Sequence, residues 1–212
     1  KVSSISAQNR DSIDEQRALK PGLILKDVTI GYSSSRILAK HISINLHGNQ
    51  LMVVTGPSGQ GKTTLLNTIA DYLPPLDGTV RILPTTGLTA SISYLPQKPW
   101  IKNASVLDNI TEFAPNASKE KIRKCLDTLG LAQEFDSRSL GLDSMLGEHG
   151  QGLSGGQLQR IALCRVLLAP TPIILLDEPT AKLDLRSKQL ILEALDKLRH
   201  EAIVVVATHD PL

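Results

Sequence analysis

The chain is predicted to fold as an α/β domain with a mostly parallel sheet, an N-terminal antiparallel β layer and an inserted α-helical subdomain. Three observations lead there. Residues 173–176 (Ile-Ile-Leu-Leu) and 203–207 (Ile-Val-Val-Val-Ala) are apolar throughout, and strands without alternation are buried on both faces, as in a parallel sheet covered by helices. Residues 23–32 and 41–46 alternate instead, the pattern of half-buried strands in an antiparallel layer. Between residues 98 and 168 the character changes to helices, which makes that stretch an insert.

In chain order, residues 1–20 are polar and aperiodic, a tail or tether leading from something upstream, and the domain proper is expected over 21–212. After the two alternating strands, a short strand at 51–55 runs directly into a glycine-rich loop. The next helix is expected over 62–73, stopped by Pro74 and Pro75 because proline lacks the N–H that a helix interior needs. Residues 79–83 and 91–95 read as two more strands. Inside the helical insert, Ser118 is placed as an N-cap and Gly130 as the stop of the segment between them. Residues 155–168 set Ile161, Cys164 and Leu168 on one helical face, with Pro170 closing the helix. A last helix, over about 185–200, separates the two apolar strands.

A length of 212 residues allows one substantial core, and 41% hydrophobic with 21% charged residues is an ordinary globular balance. A net charge of +2 and an aromatic content of 3% supply neither the basic field nor the stacking platform of a nucleic-acid binder. No nucleic-acid partner is expected. Cys125 and Cys164 lie in apolar helical patterns and read as reduced packing residues, not as a disulfide framework. The apolar runs fall far short of the roughly 20 residues that cross a bilayer. No signal-peptide pattern opens the chain, which points to the cytosol and makes the sequons at Asn103 and Asn116 chance matches. His41, His47, His149 and His200 show no metal-ligand spacing and read as structural.

The loop Gly56-Pro57-Ser58-Gly59-Gln60-Gly61-Lys62-Thr63 fits the spacing G-x-x-x-x-G-K-[ST], with a strand before it and a helix after. Its four fixed letters arise by chance in roughly one chain of this length in a hundred, and the flanking strand lowers that further. Glycines turn backbone N–H groups inward, and the helix N-terminus adds partial positive charge where phosphate oxygens sit. Lys62 is expected to reach the β and γ phosphates and Thr63 to ligate Mg²⁺; the loop and Thr64 form the phosphate-binding set. Asp177 and Glu178 end an apolar strand, where ligands gather in open α/β sheets. Successive side chains on an extended strand point apart, so Asp177 is assigned to the magnesium shell and Glu178 to polarising the attacking water.

Residues Leu153-Ser154-Gly155-Gly156-Gln157 have no partner string within their own chain. With them added, the chain resembles the nucleotide-binding domain of ATP-binding cassette (ABC) proteins, a P-loop NTPase core, from about residue 23 to the last residue. The resemblance implies ATP and Mg²⁺ as cofactors. It also implies that Ser154, Gly155, Gly156 and Gln157 close over ATP held by the phosphate loop of a second ABC ATPase domain, head to tail. By the same resemblance Tyr32 stacks on adenine, and Gln97 contacts magnesium and the attacking water while joining the subdomains. Asp184 communicates across the dimer, and His209 is the switch histidine at the γ phosphate. The implied catalytic set is Glu178, His209, Gln97 and Lys62; the implied metal set is Thr63, Gln97 and Asp177.

Residues 98–110 are similar to the segment that follows the glutamine in exporter-type cassettes, and Gly147-Glu148-His149-Gly150 also resembles exporters. The implied partners are the transmembrane domains of an exporter, fused upstream, with this domain at the cytoplasmic face of the inner membrane. The run from Asp177 to Asp184 is similar to that of bacterial heterodimeric exporters of cysteine or glutathione. Ala181 and Lys182 stand where exporters commonly carry Ser-Ala, and Met145 where many carry a glutamate. The chain is also expected to stop short of the family's final strand and helices. Three rivals remain. An importer subunit would lack fused membrane helices. A DNA-clamping cassette needs long coiled-coil insertions that the spacing between the phosphate loop and the signature string at 153–157 excludes. A catalytically idle half-site is disfavoured because every catalytic letter is present.

Overall fold

The computed structural model describes residues 21–83, 92–137, 141–147, 150, 152–181 and 183–209. The tether at 1–20, Ser91, Glu148, His149, Lys182 and the C-terminal end from Asp210 lie outside these. The early alternating segments form β1 (Gly22–Ser33) and β2 (Arg36–His47), longer than expected and paired antiparallel, with β4 (Asp77–Leu83) on the other side of β1. Leu23 sits opposite Leu46 on β2 and Ile82 on β4, so one face of this sheet is apolar by period-two patterning.

The second sheet is parallel throughout, in the order β3-β7-β6-β5, from β3 (Gln50–Thr55), β5 (Ile92–Leu95), β6 (Ile173–Asp177) and β7 (Ile203–Thr208). Every residue of the two central strands is buried, which is why their sequences carry no alternation. Ile173 and Leu175 pack into a core with Leu23, Val28 and Ile30 of the antiparallel sheet and with Leu65, Leu66 and Ile69 of α1 (Lys62–Ile69). Ile174 and Leu176 join the opposite core, formed by the helical segment. The fold is therefore α/β, with a parallel sheet clamped between an antiparallel layer and helices.

Helix α1 is shorter than the expected 62–73, and the prolines do not stop it. The chain leaves the helix at Ala70, Asp71 adopts φ +61°, and the N–H groups of Tyr72 and Leu73 both donate to the Asn67 carbonyl. A left-handed residue one step past the helix satisfies the orphan carbonyls before Pro74 is reached.

The helices between the last edge strand and β6 are α2 (Val106–Ile110), α3 (Lys119–Thr128), α4 (Ala132–Asp136) and α5 (Gly155–Leu168), with a 3-10 turn at Gly141–Asp143; α6 (Leu185–Leu198) joins β6 to β7. Ser118 caps α3 by accepting from the Lys121 N–H at 3.3 Å. Gly130 follows α3 at φ +65°, where a Cβ would also lie 2.6 Å from Leu190 Cδ1. Ser118→Ala is expected to cost about 1 kcal/mol and to lower the melting temperature by about 2–4 °C, measurable by scanning calorimetry. Cys125 and Cys164 are buried free thiols, with Cys125 Sγ 3.8 Å from the Cys164 carbonyl. Among the described residues no helix is long and apolar enough to cross a membrane.

Candidate functional site

The phosphate loop connects β3 to α1 at the carboxyl end of the parallel sheet, where β6 also ends. Gly59 and Gly61 have φ of +82° and +92°, the left-handed region that glycine enters without a Cβ penalty. Gly61 carries a second constraint, because a Cβ there would meet Leu38 Cβ at 3.1 Å and Ile30 Cδ1 at 3.3 Å. Lys62 is the first residue of α1 and only 9% exposed. Its ammonium donates to the carbonyls of Gly56 at 2.7 Å and Pro57 at 3.1 Å, and stands 3.7 Å from Glu178 Oε1. The cation is thus folded onto its own loop.

Thr63 Oγ1 donates to Asp177 Oδ2 at 2.7 Å, while Asp177 Oδ1 is buried with no hydrogen-bond partner. An unpartnered carboxylate oxygen beside a hydroxyl is what a hard divalent cation takes up. The residues present therefore fit Mg²⁺ held through Thr63 and Asp177, with Gln97 lining the same cavity.

Burial holds the Asp177 carboxyl above the ordinary carboxylate range; the Thr63 hydrogen bond opposes this, the Glu178 charge adds to it and Lys62 opposes it. A raised folded-state pKa favours the neutral acid, so its contribution to stability is complete below the ordinary value of 3.8 and is lost as pH rises through the folded value. Nucleotide-free protein should therefore lose stability relative to Asp177→Asn between acid and neutral pH. Thermal melts of the pair without magnesium check this; a constant gap would refute it.

Glu178 follows β6 with φ +51° and its N–H on the Ala207 carbonyl at 2.8 Å. This left-handed kink turns its side chain out of the strand: Oε2 lies 2.7 Å from His209 Nδ1 and accepts from the His209 N–H at 3.3 Å. Both oxygens are engaged, one by Lys62 and one by His209. A cavity of about 300 Å³ is lined by Tyr32, Arg36, Leu38, Ser58, Gly59, Gly61, Lys62, Thr63, Thr64, Gln97 and Glu178. Tyr32 is 59% exposed, with the Arg36 guanidinium 4.9 Å from its ring centroid. Sequence reasoning passed over Arg36 and Leu38, which lie between the two alternating segments and joined a strand only because β2 starts earlier than expected.

The structure does not bring the remaining candidates to this cavity. Gly56, Pro57 and Gln60 of the loop, and Asp177 and His209 bonded beside it, are not in its lining, nor are Ser154, Gly155, Gly156, Gln157 and Asp184. Ser154 caps α5, and a Cβ on Gly155 would meet nothing within 4 Å. Asp184 caps α6, accepting from Ser187 N at 2.9 Å and Ser187 Oγ at 2.7 Å, and these bonds hold its carboxyl below the ordinary range. Its neighbour Leu183 lies against Gly156, since a Cβ there would come within 3.2 Å of Leu183 Cδ2. Asp184 therefore sits near residues 154–157 of its own chain and does not line the phosphate-loop cavity.

A family model described as ABC transporter matches residues 39–181. The chain belongs to the ABC transporter family. ATP-binding domains of ABC transporters hydrolyse ATP to power transport. The chain is 35% identical over 194 residues to the glutathione/L-cysteine transport system ATP-binding/permease protein of Bacillus subtilis, covering 88% of this chain and 33% of that protein. It is 34% identical over 181 residues to the lactococcin-A transport/processing ATP-binding protein of Lactococcus lactis, covering 82% of this chain and 25% of that one. Among solved structures, a bacterial Atm1-family ABC exporter with ATP bound matches with a TM-score of 0.80 at 28% identity, over 90% of this chain and 35% of that chain. The chain thus spans between 25% and 35% of the length of these ABC relatives.

Sequence reasoning also missed a set of buried polar residues in the ABC helical segment. Arg160 and Arg165 are buried on α5, and Asn109 on α2. Two arginines on the face of a helix that also carries Ile161 and Cys164 are the signal that could have found them, because a buried cation needs partners.

Proposed function

We propose that this chain is the ATP-binding and hydrolysing domain of an exporter, and that it closes head to tail on ATP with a second ABC ATPase domain, a copy or a homologue. The observation that carries this reading is a division of labour within one chain. The phosphate loop, Gln97 and Glu178 line one cavity with Thr63 bonded to Asp177 beside it, while Ser154, Gly155 and Gly156 form an anion cradle that does not line that cavity. A helix N-terminus with a serine and two bare backbones is built to meet an anion, and the anion must come from another domain.

In this arrangement Tyr32 stacks on the adenine, and Lys62 exchanges the Gly56 and Pro57 carbonyls for β and γ phosphate oxygens. Thr63, Asp177 and Gln97 would hold Mg²⁺, which when bound would supply positive charge against the phosphate oxygens. Glu178 orients and polarises the attacking water, His209 steadies that carboxylate and faces the γ phosphate, and the opposing signature completes the cage. Asp184, seated beside its own signature, reports across the dimer.

A second cavity of about 500 Å³, lined by Tyr72, Tyr94, Pro99, Trp100, Phe113 and Arg165 among others, supports docking of the exporter's transmembrane domains next to Gln97. In this reading the domain sits at the cytoplasmic face of the membrane. The relatives are named for glutathione and cysteine, for lactococcin-A and for a β-glucan, so this domain supplies power without choosing cargo.

The test is titration of the full chain with MgATP, followed by calorimetry and by sedimentation. Wild type should bind and dimerise, and Lys62→Ala should weaken binding about ten- to a hundredfold. No binding at millimolar MgATP overturns the reading; binding without dimers rejects the shared site.

A further inference from the structure

The signature turn is gripped from outside its own helix. Glu134, on α4, accepts from Gln157 Nε2 at 2.7 Å through one carboxylate oxygen and from Arg160 Nη1 at 2.7 Å through the other. Arg160 also donates to the Gly156 carbonyl at 3.2 Å and to the Leu129 carbonyl, just past α3, at 3.1 Å. Ser154 and Gln157 cap one another: Ser154 N–H donates to Gln157 Oε1 at 2.9 Å, and Gln157 N–H donates to Ser154 Oγ at 3.2 Å.

The Gln157 amide is therefore held at both ends. Its oxygen takes a backbone N–H and its nitrogen meets a carboxylate, and since the first can only donate and the second can only accept, the amide fits one way round. Turning it over would oppose donor to donor and acceptor to acceptor. Through this amide the attitude of the turn at 154–157 is tied to α4, and through Arg160 to the end of α3. Both links are charge-assisted and so stronger than neutral hydrogen bonds. With Arg160 at 6% and Glu134 at 33% side-chain exposure, water screens the pair only partly.

We infer that Glu134 is a positioning residue for the shared ATP site: it locks Gln157 and Arg160 so that Ser154, Gly155 and Gly156 face the triphosphate held by a second domain. This rests on the shared-site reading above. Glu134 acts in trans, on nucleotide gripped by the partner's phosphate loop, and it leaves its own chain's grip untouched. A carboxylate that merely stabilised the helical segment would show no such asymmetry between the two events.

The test compares the full chain with Glu134→Gln, which keeps the shape, and Glu134→Ala. Affinity for a fluorescent ATP analogue is read at protein concentrations too low for dimers, and dimerisation with a non-hydrolysable ATP analogue and Mg²⁺ is read by sedimentation. Monomer affinity should stay within about twofold while the dimer dissociation constant rises about tenfold for Glu134→Ala, with Glu134→Gln between it and wild type. Mixed dimers with Lys62→Ala add the trans readout. When the two substitutions sit in separate copies, one complete site survives; placed in the same copy, none does. Dimers should therefore persist better in the separate arrangement.

If wild type dimerises and both Glu134 variants dimerise equally well, the positioning role is overturned while the shared site stands. Equal dimer loss in the two mixed arrangements also overturns it. If Glu134→Ala fails to fold, Glu134→Gln decides alone. If wild type binds nucleotide without dimerising, the shared site itself fails, and this inference with it.

Discussion

Glu178→Gln is expected to lower ATP turnover about a thousandfold, within the range that a positioned general base supplies, while ATP binding persists and ATP-bound dimers accumulate. The carboxylate is held between two nitrogens, Lys62 Nζ at 3.7 Å and His209 Nδ1 at 2.7 Å, on a residue at φ +51°. Glutamine preserves the side-chain shape and can adopt the same kink at similar cost, so the loop, the metal residues and the signature keep their places. What disappears is the charge that draws a proton from the attacking water. Phosphate release measures the first effect and sedimentation with MgATP the second. Turnover within tenfold of wild type would remove Glu178 from the general-base role, and loss of binding would place it in the nucleotide grip instead.

Arg165→Leu is expected to destabilise the chain by about 3 kcal/mol, from the loss of three hydrogen bonds to a charged donor at roughly 1.5–3 kcal/mol each, partly offset by rehydration and by the acceptor that keeps a second partner. Arg165 donates to the Asn109 carbonyl at 2.6 Å, to Asn109 Oδ1 at 2.9 Å and to the Trp100 carbonyl at 2.8 Å, and its guanidinium lies 4.5 Å from the Trp100 ring centroid. Asn109 in turn accepts from Lys102 N–H and donates to the carbonyls of Lys102 and Ser105. One planar cation thus ties α5 to α2 and to the Trp100 segment, and a drop of about 6–12 °C in melting temperature follows for a domain of this size. Arg165→Lys should recover little, because a point charge cannot reach three acceptors arranged for a fork. Thermal unfolding of the two variants checks both statements; Arg165→Lys melting with wild type would overturn the second.

The parts legible in the sequence are those whose physics is local. A glycine loop between a strand and a helix, an apolar run ending in Asp177 and Glu178, and a serine three residues before Gln157 each act through neighbours in the chain. Backbone torsions and caps are decided within a few residues. Even there, α1 ended at Ile69 rather than residue 73, since a left-handed Asp71 left no mark that could outweigh two prolines. Arg36 over Tyr32, Leu183 against Gly156 and Glu134 on Gln157 were invisible, because each joins residues with no periodic relation to one another.

The order of short motifs by itself determined that this chain grips a triphosphate and belongs with ABC proteins, because each motif encodes a local backbone shape for phosphate or metal. Only the tertiary structure decided how the pieces sit. Parallel pairing of β6 with β7 set His209 against Glu178, and burial raised the Asp177 carboxyl while leaving one of its oxygens unpartnered. Glu134 of α4 took hold of the signature turn at 154–157, which does not line the cavity of its own chain's loop. Those outcomes depend on long-range packing and desolvation, which sum over residues far apart in sequence and so leave no pattern to read along it.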